Sequence, residues 1–314
     1  RHSGSLAGLA GAGIQVDELL NGYAVLVVPE HLVDQVSELN QIEYIEKPKR
    51  LFFASNMARA ASCLSVVQSP SGTGNVTGGV ISGLSGGLTG RGVLVAVIDS
   101  GIDYLNQDFR NEDGSTRILM LMDQDRGRIY TREEINEALD APDRAGALER
   151  VPSVDLSGHG TAVAAIAAGN GRGSQGVYRG VAYESDLLVV KLGAPLADNF
   201  PRTTQLMKGL DFVIRQAQEL GRPVAVNLSF GNTYGSHDGT SLLETFMNDI
   251  SNYGRSVLVA GTGNEGTGNG HTAGRLVMGS DTDVELSIAP FETGMGVQLW
   301  KSYVDAFAIR LITP

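Results

Sequence analysis

Three short segments of this 314-residue chain set an acid, an imidazole and a carboxamide beside glycines. Asp99 closes the apolar run Val97-Ile98 and leads into Ser100-Gly101-Ile102-Asp103. His159 stands between glycines in Ser157-Gly158-His159-Gly160-Thr161, where a run of small residues opens. Asn264 follows Val259-Ala260-Gly261-Thr262-Gly263. A carboxylate that accepts one imidazole N–H fixes the tautomer and leaves the other nitrogen to serve a hydroxyl nucleophile as base. A side-chain amide can donate to an oxygen that turns anionic during acyl transfer, and losing one such donor costs about 10²–10³ in turnover. Each residue also has a plainer reading. An Asp after a strand forms turns or caps helices, a His between glycines is structural, and an Asn in a Gly-rich turn accepts left-handed backbone. It is their order along one pattern of elements that points to shared chemistry.

Those elements read as strand and helix in alternation from Gly92 onward. Val93–Ile98, Leu187–Leu192, Val224–Ser229 and Ser256–Ala260 are apolar runs of strand length. Gly160–Ala168, Thr203–Leu220 and Ser241–Tyr253 are helical runs, and Leu206, Leu210, Val213, Ile214 and Ala217 give the second one an apolar face. The expected fold class is α/β, a parallel sheet with helices on both faces. Ligands in such sheets bind outside the carboxyl ends of the strands, where all three chemical segments fall. Ahead of this unit, Leu19–Val28 reads as a strand, Glu30–Leu39 as a short helix, Ile42–Lys47 as a second strand and Arg50–Ala54 as a third. The stretch from Ser69 to Gly92 reads as loop. After Asn264, Val284–Ala289, Gly296–Lys301 and Ala306–Thr313 alternate at period two and predict antiparallel β structure.

Composition bounds the function classes. Hydrophobic residues at 42% and charged residues at 19% describe a globular, soluble chain. A net charge of −11 argues against a nucleic-acid partner held through phosphates. No apolar run approaches the roughly 20 residues of a membrane span. The single Cys63 excludes an intramolecular disulfide framework and a cysteine-built zinc site.

The three segments together resemble the subtilisin family of serine proteases, whose pattern is Asp in D-S/T-G, His in H-G-T, Asn in A-G-N and the nucleophile in G-T-S-M-A. The first two stand intact here and the third as the variant Ala260-Gly261-Thr262-Gly263-Asn264; the order Asp, His, Ser is that of subtilisin. The resemblance spans residues 20–270 or so. It implies Asp99, His159 and Asn264 as catalytic residues, with Ser229, Phe230 and Gly231 on one wall of the specificity pocket and Gly261, Thr262 and Gly263 on the other. A core aromatic remains the alternative for Phe230. The implied partners are a protein or peptide substrate, paired main chain to main chain with strand edges, and the chain's own prodomain. Residues 1–54 resemble part of an inhibitory prodomain, 55–278 a catalytic domain, and 279–314 the beginning of an inserted β domain.

Several departures qualify the resemblance. Nothing after Asn264 reads Gly-Thr-Ser-Met-Ala, so the nucleophile is lacking and the chain alone is expected to be inactive. Gly239-Thr240-Ser241 precedes Asn264 and, with Glu244 three residues on, reads as a capping box. Ala162 stands where the family commonly has His. The chain is expected to be truncated at both ends. A period-two segment soon after the amide resembles the clostridial germination proteases (Csp type), in which a jelly-roll domain is inserted there and the cleaved prodomain stays bound. That resemblance implies processing of a spore cortex hydrolase precursor and favours a secreted or spore-associated protein. The alternative is a noncatalytic pseudoprotease that binds a partner through the same cleft. No cofactor is expected; Asp108 matches a calcium-holding position of the family, with a solvated loop at Ala168–Val177 as the other reading. Asp123–Arg128 and Arg132–Glu149 read as a solvated insertion, Met120 and Met122 as core, and His237 and His271 as surface residues.

Overall fold

The computed structural model describes residues 1–48, 52–53, 87–193, 201–231, 234–264, 270–288 and 294–312. The apolar runs form one sheet. β4 (Leu94–Asp99), β5 (Ile118–Asp123), β7 (Asp186–Lys191), β8 (Val224–Leu228) and β10 (Ser256–Ala260) join β6 (Arg128–Thr131) in the order β10-β8-β4-β7-β5-β6. All pairs are parallel except β5 with β6. Every residue of β4 is buried, because helices cover the strand on both sides and no polar face is needed.

Alternation along the strands divides the core in two. Leu94, Ala96 and Ile98 with Leu188, Val190, Val224 and Val226 meet α5 (Thr203–Glu219) and α6 (Leu242–Ser251). The residues between them, Val95, Val97, Leu187 and Val189, meet α2 (Arg132–Leu139), α3 (Arg144–Arg150) and α4 (His159–Ala168). Leu206, Leu210, Val213, Ile214 and Ala217 form the buried face of α5, as their spacing requires.

Residues 1–48 form a separate small unit against α5 and α6. β1 (Gln15–Glu18) and β2 (Ala24–Val27) make an antiparallel hairpin, followed by α1 (Val33–Ser37). The single strand expected over 19–28 is therefore the hairpin's turn and second arm. Asn21 and Gly22, both at positive φ, reverse the chain there. The strand expected over 42–47 is replaced by an isolated bridge between Ile42 and His2, with Glu43 N–H donating to the Arg1 carbonyl at 2.9 Å. Docking uses both apolar and polar contacts. The Tyr23 ring meets Phe246 edge-on at 5.0 Å, and its hydroxyl donates to Asp249 at 3.0 Å. Leu20 N–H donates to the Asp211 carboxylate of α5 at 2.9 Å, and Leu242 N–H at the start of α6 donates to Glu46 at 2.8 Å. β3 (Phe52–Phe53) runs antiparallel to β9 (Phe230–Gly231).

Two further expectations need correction. The segment read as a solvated insertion is folded: β6 extends the sheet, and Tyr130, Ile135, Ala138 and Ala147 are buried. Its mixed charges sit on the outer faces of two short helices, so counting charge sign hid the apolar stripe. Conversely, no strand forms among the described residues of 270–312, and Val284, Leu286, Ile288, Val297 and Leu299 are exposed. A period-two segment buries its apolar face only against other strands, and none among the described residues pairs with it. Residues 54–86, which hold most of the expected loop, lie outside the described residues. No helix among the described residues is long and apolar enough to cross a membrane.

Replacing Tyr23 by Ala is expected to cost about 3–5 kcal/mol and Tyr23→Phe about 0.5–1.5 kcal/mol. Both would be read as a lowered urea midpoint at unchanged m.

Candidate active site

Parallel register brings the chemical segments to one edge. Val97 of β4 pairs with Asn227 of β8, and Asn227 in turn with Val259 of β10. Asp99, Ser229 and Gly261 therefore leave the sheet side by side at its carboxyl edge, with Gly261 N–H still donating to the Leu228 carbonyl at 3.0 Å.

The acid and the imidazole meet there. His159 Nδ1 lies 2.8 Å from Asp99 Oδ1, with the Asp99 side chain 0% and the His159 side chain 16% exposed. With the proton assigned to Nδ1, the imidazole donates to the carboxylate and Nε2 is the basic nitrogen. Asp99 Oδ1 also accepts Ser100 N–H at 2.7 Å, while the buried Oδ2 has no partner among the described residues. The charge on Asp99 is thus left for the imidazole to answer.

A glycine makes this meeting feasible. α4 opens at His159, and the next residue, Gly160, faces the chain leaving β4. A Cβ on Gly160 would fall 2.2 Å from the Gly101 carbonyl oxygen and 3.1 Å from Asp99 Cβ. Any side chain there would push the helix off the strand.

The first turn of α4 carries N–H groups that no helical carbonyl can satisfy. Its N-cap, Gly158, sits at φ 74 and has no side chain to offer. Neighbours supply the acceptors. Asp155 accepts Gly158 N–H at 2.9 Å and Thr161 N–H at 2.8 Å, Ser157 Oγ accepts His159 N–H at 3.1 Å, and Ser100 Oγ accepts Gly160 N–H at 2.9 Å. Burial disfavours charge on Asp155, but hydrogen bonds from Thr161, Ser100 and Gly158 outweigh it and hold the carboxyl below the ordinary aspartate range. At the other end, the buried Arg117 guanidinium donates to the Ala168 carbonyl at 2.7 Å. Burial draws Arg117 down to about 10, so it stays charged at neutral pH.

The remaining residues read from the sequence fall as follows. Asn264 is exposed, just beyond β10 on the same edge. Gly261, Thr262 and Gly263 are exposed ahead of it, and Gly263 has φ 99. Ser229 Oγ accepts from Asn227 at 2.7 Å. The Phe230 ring is in the core, and its backbone with that of Gly231 takes up the Phe52–Phe53 strand. Ser241 caps α6, its Oγ accepting Glu244 N–H at 3.3 Å. His237 and His271 are exposed, with their rings stacked at 5.1 Å. At Asp108, Oδ1 accepts Gly173 N–H at 2.7 Å and the Arg117 guanidinium donates to the backbone carbonyl at 3.1 Å, and no group of three His, Cys, Asp or Glu side chains among the described residues could hold a metal. Sequence reading missed Asp155 and Ser100; an acid three residues ahead of a side-chain-less N-cap was the available signal.

A buried carboxylate beside an imidazole at the carboxyl edge of a parallel sheet has the geometry that the acid–base half of a hydrolase site requires. Comparison with known proteins agrees. The family model described as Subtilase family (Peptidase_S8) matches residues 90–285, and the Csp protease B prodomain model matches residues 1–49. The chain belongs to the subtilase family. It is 27% identical over 262 residues to a subtilisin of Bacillus sp. (strain TA39), covering 82% of this chain and 52% of that protein. The solved CspB protease of Clostridium perfringens superposes with a TM-score of 0.52 at 39% identity, covering 55% of this chain and 36% of that one. The chain thus spans about half the length of the curated relative and 36% of the solved one.

Gly160→Ala is expected to separate α4 from β4 and cost at least the ~1–3 kcal/mol of overpacking, measured by urea denaturation. Asp155, ionised more readily when folded, stabilises fully above its unfolded value near ~3.9 and loses that contribution as pH falls through its lower folded value. The stability gap between the unaltered chain and Asp155→Asn should therefore be constant near neutrality and shrink below about pH 4, followed by melts across acid pH.

Proposed function

We propose that the complete protein is a serine endopeptidase in which Asp99 orients His159, His159 moves the proton and Asn264 donates to the oxyanion. The observation that carries this reading is the 2.8 Å contact between a fully buried carboxylate and an imidazole at the carboxyl edge of the sheet. In the reaction, His159 Nε2 would take the proton of a serine hydroxyl as it attacks the peptide carbonyl, then return it to the leaving amine. Asp99 would steady the imidazolium between those steps. No stretch of the 314 residues reads Gly-Thr-Ser-Met-Ala, and we take the serine to lie outside them, so that this chain alone does not cleave peptides.

The substrate class follows from the edge beside the pair. Phe52–Phe53 lies as an added antiparallel strand on Phe230–Gly231, the way an extended peptide is held by main-chain bonds. Ser229, Phe230 and Gly231 with Gly261, Thr262 and Gly263 would then wall the pocket for the side chain next to the scissile bond. We take residues 1–54 as the prodomain, inhibitory while that strand is in place, 55–278 as catalytic domain and 279–314 as the start of an inserted segment. The match of residues 1–49 to the Csp protease B prodomain supports the prodomain assignment, and we take a protein precursor, of the spore cortex hydrolase kind, as the substrate.

In the complete protein a fluorophosphonate probe should label one serine, and His159→Ala should abolish labelling. Asp99→Asn should lower kcat by roughly 10⁴, the loss that a wrong tautomer causes in a Ser-His-Asp enzyme. Absence of labelling in the unaltered protein would sink the peptidase reading and leave a binding protein.

A further inference from the structure

The pair Asp99–His159 joins two elements with no covalent tie near it, so something must set the helix against the strand. Three candidates lie within reach: Ser100, Ser157 and Asp155. The serines each satisfy one helix N–H, whereas Asp155 gathers two helix N–H groups and, through Ser100, both serines. Its Oδ1 accepts from Gly158 N–H at 2.9 Å and Ser100 Oγ at 2.8 Å, and Ser157 Oγ, whose proton goes to Ser100, lies 3.3 Å away. Its Oδ2 accepts from Thr161 N–H at 2.8 Å and Thr161 Oγ1 at 2.7 Å. Four donors around two oxygens leave the carboxylate little freedom.

These bonds extend to the strand side. Ser100 follows Asp99, and its N–H donates to Asp99 Oδ1, the oxygen that also faces His159. Ser157 donates to Ser100 at 2.8 Å, and Thr161 Oγ1 accepts Asp103 N–H at 2.8 Å. Asp155 therefore holds the backbone on both sides of the acid–imidazole contact. Its negative charge also sits where the helix presents its positive end.

We propose that Asp155 is a positioning residue for His159: by bonding Ser100, Gly158 and Thr161 together, it sets the imidazole in register with Asp99. A cap that only stabilises α4 would act on folding alone. A positioning residue changes the imidazole's hydrogen bond and the chemical step while the fold persists. The kinetic part rests on the peptidase reading; the geometric part does not.

The test uses Asp155→Ala and Asp155→Asn, with Tyr104→Phe as control. The Tyr104 hydroxyl donates to the Ala147 and Val151 carbonyls at 3.0 and 2.9 Å, so its loss destabilises α3 and leaves the α4 cap intact. In the 314-residue chain, NMR of ¹⁵N-labelled histidine reads the Nδ1–H proton bonded to Asp99. Asp155→Ala should remove that resonance while circular dichroism shows a folded chain, and Tyr104→Phe should keep it. Should Asp155→Ala not fold, Asp155→Asn, which keeps one acceptor oxygen, is expected to weaken the resonance without removing it. In the complete protein, Asp155→Ala should lower kcat about 10²-fold, the scale of a 1 Å misplacement, with KM changed less than ~2-fold and partial recovery in Asp155→Asn. An unchanged Nδ1–H resonance in the folded variant, or equal loss in Tyr104→Phe, overturns the proposal. If the unaltered complete protein lacks activity, the peptidase reading fails, and the resonance still decides the role of Asp155.

Discussion

The site depends on one close approach of backbone to backbone. α4 must bring His159 to the end of β4, and only a residue without a side chain can stand between them. Gly160 is that residue, with no room for even a methyl group against the Gly101 carbonyl and Asp99. Hydrogen-bond reach between a short carboxylate and an imidazole leaves no slack, so a helix displaced by the width of a carbon atom would lose the 2.8 Å contact. The glycine beside the histidine is thus a condition of the geometry before it is anything else.

Electrostatics then holds what the glycine permits. The helix is clamped by an acid at its positive end, Asp155, and by a guanidinium at its negative end, Arg117. Arg117 is buried and answers carbonyls of Ala168, Ser185 and Asp108 in place of a carboxylate, which ties the helix end to the start of β5. The helix buries only small side chains, Ala164 and Ala168 among them, so bonds at its termini add to modest packing along its length. The loop at Asp108 is held in the same way, by Gly173 N–H on its carboxylate and the Arg117 guanidinium on its carbonyl.

The small N-terminal unit uses the opposite strategy. It docks through one aromatic side chain, Tyr23, sunk between its hairpin and α6, and through polar contacts from its turn to Asp211 and Asp249. Those acids belong to helices whose other faces build the sheet's core, so the docking surface is as rigid as the core itself. The strand at Phe52–Phe53 reaches the carboxyl edge from the same side of the sequence. The N-terminal unit and the candidate cleft are therefore connected through the chain, and the backbone beside Phe230 is where they meet.

The parallel strands, the helices between them and the residues at their exits were legible because each signal is local. A run of apolar residues buried on both faces looks the same wherever it occurs, as in Val93–Ile98, and a glycine-flanked histidine opening a helix announces itself. The turn at Asn21-Gly22 was not legible although Asn-Gly is a hairpin signal, because the apolar residues on either side read as one strand, and the folding of 124–150 was hidden because its mixed charges masked a strand that pairs with its own chain neighbour, β5. The period-two residues near the chain's end show the limit from the other side: alternation is a capacity to pair, and pairing requires strands that sequence periodicity cannot supply. Residue types and their order were settled by the sequence alone, and with them the class of chemistry. Which oxygen of Asp99 faces the imidazole, why Asp155 stands beside it and where the Phe230 ring goes were decided only by the tertiary structure, because each follows from segments many residues apart being packed at contact distance.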